Sequence, residues 1–141
     1  MQNLWQKKQK LNYSKDVFDI VQFGSSLTQG NPNDIDTAVI FKPIPLKEQL
    51  NQSQEIKKQI QKLSEISVHT TSFDLYSFFD KSNFAKDSIL FYGKSIITGE
   101  YFSINFGIRP KIHISYSLDD LKKKDKVKFN WKNDEVKEGY V

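Results

Sequence analysis

Val21-Gln22-Phe23-Gly24-Ser25-Ser26-Leu27-Thr28-Gln29-Gly30-Asn31-Pro32-Asn33-Asp34-Ile35-Asp36 decides the fold. An apolar run ends in Gly-Ser, a polar turn rich in Gly, Asn and Pro follows, and two aspartates one residue apart open a second apolar run that reaches Phe41. Upstream, residues 16–23 are β-branched and aromatic and stop at Gly24-Ser25, which predicts a buried strand. Residues 34–41 predict a second strand, closed by Pro43 and Pro45, which cannot continue a central ladder. Side chains alternate along a strand, so Asp34 and Asp36 share a face, roughly 7 Å apart along the backbone.

Outward from this pair, Leu46, Leu50, Ile56, Ile60 and Leu63 mark an apolar stripe on a Gln- and Lys-rich helix with Pro45 at its start. Residues 66–73 return to strand chemistry and Asp74 closes them. Residues 74–92 predict one or two helices, with Asn83 as an N-cap and Gly93 as a stop. Residues 95–98 and 101–106, separated by Gly99-Glu100, predict a hairpin. A short, weak helix ending at Asn12 is expected within residues 1–15, a strand at 111–115 and a helix over 118–124; residues 126–132 alternate as in a strand but also suit a helix, the reading preferred.

The chain has 141 residues, 38% hydrophobic and 13% aromatic, which suffices for one domain with a real core. A net charge of +4 permits a nucleic-acid or nucleotide partner without requiring one. There is no cysteine, which excludes disulfides and thiolate metal sites, and the two histidines, His69 and His113, are too few for a multi-histidine site. The first residues carry no apolar stretch of the signal-peptide kind and no run approaches a membrane span, so the expected place is the cytoplasm, with no membrane partner.

A glycine at a strand end lets backbone approach a phosphate closely, and a serine hydroxyl with neighbouring N–H groups can hold phosphate oxygens. Two carboxylates on the next strand suit Mg²⁺, which is held by one or two carboxylates plus substrate phosphates. Phe23-Gly24-Ser25, a spacer, and Asp34-Ile35-Asp36-Thr37 together resemble the signature of the DNA polymerase β-type nucleotidyltransferase superfamily, nearest its small single-domain members. The resemblance covers residues 16–92. It implies an α+β (α/β) core with helices packed on a mixed sheet; that core is read as residues 1–99, and residues 100–141, which the resemblance does not cover, as a basic C-terminal β/α extension of the same domain. It also implies transfer of a nucleoside monophosphate from a nucleoside triphosphate to a hydroxyl, with Mg²⁺ or Mn²⁺. Gly24, Ser25 and Ser26 are then the nucleotide-binding candidates, and Asp34 and Asp36 bind metal.

Two positions depart from that pattern. Members of the family usually carry a third carboxylate on the strand after the long helix, and His69 stands in its place; His69 is read either as a general base or as a plain strand histidine. Asp74, the nearest acid, is either a displaced third carboxylate or a helix cap. Small members often carry arginines after the Gly-Ser, where this chain has Ser26-Leu27-Thr28-Gln29. Residues 109–132 hold eight basic and three acidic side chains, and Lys122, Lys123, Lys124, Lys126 and Lys128 beside Phe129 and Trp131 form either a solvated helix face or a nucleic-acid contact. The acceptor is expected to be a DNA or RNA 3′ end. The alternatives are a partner toxin protein, modified by an antitoxin-type adenylyltransferase, and a nucleic-acid-binding module without catalysis.

Overall fold

A computed structural model describes residues 4–5 and 11–109. The chain divides into two compact units, Met1–Ile108 and Arg109–Val141; of the second only Arg109 is described, so the expected strand at 111–115, the helices beyond it and the lysine cluster at 122–128 lie outside the described residues.

The first unit is a mixed α+β fold. Strands β1 (Val17–Phe23), β2 (Asp34–Phe41), β3 (Ser67–Asp74) and the two-residue β4 (Lys94–Ser95) form one sheet in the order β3-β2-β1-β4. β1 runs antiparallel to both β2 and β4, whereas β2 and β3 are parallel. That parallel pair is possible because α1 (Leu46–Leu63) supplies the long crossover between them. Two short helices follow, α2 (Leu75–Phe78) and α3 (Lys86–Tyr92). β1, β2, β3 and α1 fall within a residue of their expected limits.

Alternation along β2 sends its side chains into two separate cores. Ile35, Val39 and Phe41 pack with Ile56 and Ile60 of α1, Val17 and Ile20 of β1, and Leu4 and Leu11. Ala38 and Ile40 face the other way, into a cluster with Val21, Phe78 of α2, Ile89 and Leu90 of α3, and Phe102. Layers on both faces therefore bury β2 from residue 37 to residue 41. Phe102 is the hub of the second layer, with ring centroids 5.4 Å from both Phe78 and Phe106 and 6.3 Å from Phe18.

α1 does not bury the stripe that the sequence predicts. Leu46 and Leu50 are exposed, whereas Gln49 and Ser53 are buried beside Ile56 and Ile60. The reason is geometric: at 100° per residue, Leu50 lies about 80° around the helix from Ile60, while Gln49 lies within about 20° of it. The inward glutamine is matched by a hydroxyl, its Nε2 donating to Ser72 Oγ at 3.3 Å. Other glutamines of α1 tie down backbone. Gln61 Oε1 accepts from the Val68 N–H at 2.9 Å, and Gln59 exchanges two bonds with the backbone of Asn12.

The expected hairpin is only half a hairpin. Lys94 bridges Tyr101 across the turn, but Phe102–Phe106 coil into a 3-10 helix that drives Phe102 into the core, so this unit runs past residue 99. A buried carboxylate, Asp19, joins β1 to both pieces by accepting from Ser95 Oγ at 2.6 Å and Asn105 Nδ2 at 3.0 Å. Near residue 83 the helix start also differs. Ala85 is the N-cap residue of α3, and Asn83 acts one turn earlier, accepting from the Ala85 N–H and donating to the Phe78 carbonyl. Gly93 ends α3 as expected, in an extended conformation; a Cβ there would lie 2.4 Å from the Ile89 carbonyl oxygen. Leu11–Ser14 are non-helical, so the weak helix expected in residues 1–15 does not reach its predicted end. Among the described residues, no helix is long and apolar enough to cross a membrane.

Candidate functional site

The helices over the second core stop short of the N-terminal end of β2. Asp34 and Asp36 share the face of Ala38 and Ile40 by alternation, but α2 and α3 cover only the latter two, and both carboxylates remain partly exposed. The sheet register sets their neighbours: Asp36 lies beside Phe23 on β1 and beside His69 on β3, and Asp34 lies beside Ser67. His69 Nε2 stands 3.5 Å from Asp34 Oδ2, both side chains well open to solvent. Two carboxylates and an imidazole thus meet at one end of the sheet.

Gly24 completes this floor. It follows Phe23 at the end of β1 with φ +79°, in the left-handed region that only glycine enters freely, and a Cβ built on it would lie 2.9 Å from Asp36 Oδ2. Absence of a side chain keeps the Asp36 carboxylate open toward the turn Gly24–Leu27, a single 3-10 turn closed by bonds from Thr28 N–H and Gln29 N–H to the Ser25 carbonyl. The turn is anchored from below. Gln22, buried in β1, donates its Nε2 to Ser26 Oγ at 2.9 Å.

The sequence-derived candidates therefore separate. Gly24, Asp34, Asp36 and His69 converge, and Ser25 follows Gly24 in the turn. Ser26, expected to contact nucleotide, is instead buried with its hydroxyl on Gln22, and its part is to hold the turn. Asp74 is also placed elsewhere: it pairs in register with Phe41, five residues along from the Asp36–His69 pair, which is roughly 16 Å at strand spacing. There it caps α2, accepting from the Ser77 N–H at 2.7 Å while Ser77 Oγ accepts from the Asp74 N–H. This capping box accounts for the acid at the strand end.

Burial pushes the Asp36 carboxyl above the usual carboxylate range, the nearby charge of Asp34 pushes it further, and His69 opposes the rise. An acid whose folded pKa is raised favours the folded state when protonated, so its unfavourable contribution sets in as pH rises above the unfolded value of 3.8 and is complete once pH has passed the folded pKa. Asp36→Asn is accordingly expected to raise the melting temperature at pH 7, and that gain should vanish below the unfolded value of 3.8; thermal unfolding of both proteins at pH 7 and pH 3.5 checks the sign.

Gly24→Ala meets two penalties at once, a side chain in the left-handed region and a contact with a carboxylate oxygen. The expected cost is about 1–3 kcal/mol, measured by denaturant unfolding, together with weakened binding of whatever Asp36 holds.

Sequence reasoning missed the surroundings of this floor on the side of α3. Leu27, Thr28, Ser88, Tyr92, Lys94 and Tyr101 line an open cleft of about 360 Å³ that reaches Gly24. Ser88 and Tyr92 are four apart on a helix and so face the same way, but nothing in their local sequence relates them to Gly24. Comparison with protein-family models, curated proteins and solved structures finds no match to this chain.

Proposed function

We propose that this protein is a polymerase β-like nucleotidyltransferase that moves a nucleoside monophosphate from a nucleoside triphosphate to a hydroxyl acceptor. One observation carries the reading: Gly24, at a left-handed φ, opens directly onto the carboxylate of Asp36, so a phosphate-holding turn and an aspartate pair form a single surface.

The donor set fits a hard divalent cation shared with substrate. Among the described residues no group of three or more His, Cys, Asp or Glu side chains is arranged to hold an ion by itself. Asp34 and Asp36 offer two carboxylates at an open edge, and Mg²⁺ or Mn²⁺ in such places takes its remaining ligands from phosphates and water. When bound, the cation would lower the charge barrier to attack on the α-phosphate and steady the departing pyrophosphate. The protein's own groups do the positioning. Gly24 and Ser25 would seat the triphosphate, and the mutual repulsion of the two carboxylates favours any cation placed between them. His69, on the strand beside Asp36, would take the proton of the acceptor hydroxyl.

The acceptor favoured by this reading is a nucleic-acid end. The assay is incubation with labelled triphosphates, Mg²⁺ or Mn²⁺, and short DNA or RNA oligonucleotides. Extended product is the expected result; absence of product with every acceptor, the protein itself and co-purifying proteins included, would end the enzymatic reading. A second reading, a triphosphate- or nucleic-acid-binding module without turnover, is favoured by one fact: the side chain beside Asp36 on β3 is a histidine rather than an acid. Binding of triphosphate with no transfer in the same assay would select it.

A further inference from the structure

We propose that the cleft beside Gly24 is the nucleoside end of the site, with Tyr92 as the platform for the base and Lys94 as the cation that meets the phosphate chain. This rests on the nucleotidyltransferase reading and adds the residues that would select a nucleoside triphosphate over a bare polyphosphate.

The cleft and the aspartate floor share one residue. Gly24 lines the cleft, and a Cβ built on it would lie 2.9 Å from Asp36 Oδ2, so a ligand with phosphates over Asp34 and Asp36 would have this cleft within reach of its remaining end. A volume of about 360 Å³ lies within the range of small-molecule sites. Three separate elements build it: the Gly24–Leu27 turn, the last turn of α3, and the bridge between Lys94 and Tyr101.

Its chemistry is suited to a nucleoside. Tyr92 is 68% exposed and, among the described residues, its ring has no aromatic partner, although a soluble surface gains nothing by presenting a large aromatic face to water. Bases stack on such faces with little regard to sequence. Among the described residues Lys94 is the one charged residue lining the cleft, and its Nζ lies 5.3 Å from the centroid of the Tyr101 ring. That cation–π contact holds the ammonium at the cleft wall instead of leaving it to swing in solvent. A cation fixed there supplies a positive group for the phosphates that the turn Ser26-Leu27-Thr28-Gln29 lacks. Leu27 and Thr28 close the side next to Gly24.

The test is calorimetric titration of the full chain, in Mg²⁺, with ATP and separately with inorganic tripolyphosphate. Wild-type protein is expected to bind ATP about tenfold more tightly than tripolyphosphate, the contribution of one base–aromatic stack. Tyr92→Ala should remove that difference and leave tripolyphosphate binding as it was, Tyr92→Phe should keep it, and Lys94→Met should weaken both ligands. Both side chains lie outside the two cores, so the variants are expected to fold, which thermal unfolding checks. If wild-type protein binds both ligands and Tyr92→Ala binds ATP undiminished, the cleft assignment is overturned while the metal–triphosphate site stands. If wild-type protein binds neither ligand, the functional reading itself falls, and this inference with it.

Discussion

Replacing Asp34 and Asp36 together by asparagine is expected to abolish nucleotide transfer, by about a thousandfold or more, while leaving the protein folded. The size of the loss follows from the role proposed for the pair: a cation that neutralises developing charge contributes several kcal/mol to the transition state, and these would be the two carboxylates that hold it. Folding should survive because neither side chain is in a core, and because the change relieves the repulsion that pushes Asp36 upward. The double variant should therefore unfold at a temperature no lower than wild type at neutral pH. The measurement is paired: product formation from labelled triphosphate, and thermal unfolding on the same preparations. Undiminished transfer by a well-folded double variant would remove the aspartates from the chemistry. Each single variant should also fall sharply, because groups acting as one site are not additive.

The largest effect on stability is expected from Phe102→Ala, at about 3–5 kcal/mol, a substantial part of the total for a domain of this size. Phe102 is fully buried and touches rings contributed by β1, α2 and its own 3-10 turn. Removing it leaves a cavity between Phe18, Phe78 and Phe106. It also unpins the segment that carries Tyr101, whose backbone bridge to Lys94 and ring contact with Lys94 shape the cleft beside Gly24. Denaturant unfolding should show the full loss, and ATP affinity should fall more than affinity for tripolyphosphate. A loss under about 1 kcal/mol would mean that the second core is held mainly by Phe78, Ile89 and Leu90.

Much of this was legible in the chain. Runs rich in β-branched and aromatic residues at Val17–Phe23 and Asp34–Phe41 specified two strands, and the alternation of side chains along a strand put both aspartates on one face, because strand periodicity is a local property. The long helix was equally plain, but its buried side was not. Leu46 and Leu50 drew the stripe to the wrong face for the first turns, since periodicity read from leucines ignores a glutamine whose amide finds a hydroxyl on β3. Residues 102–106 show the opposite error: a segment with β-prone Phe102, Ile104 and Phe106 coils, because burying Phe102 among three rings outweighs strand propensity.

The candidate site divides along the same line. The sequence by itself determined Gly24-Ser25 at a strand end and Asp34-Ile35-Asp36 on the next strand, since both depend on local backbone alone. Tertiary structure alone decided the rest. Register across the sheet put His69 beside Asp36 and sent Asp74 five residues away to cap α2. Packing of Gln22 turned Ser26 inward. Folding of α3 and the Lys94–Tyr101 bridge against the Gly24 turn brought Tyr92 and Lys94 to the same cleft, from positions about 70 residues downstream. Spacing along a chain fixes which side chains share a face of one element, whereas pairing between elements is a global minimum over the whole core, and only that minimum chooses a site's third and fourth members.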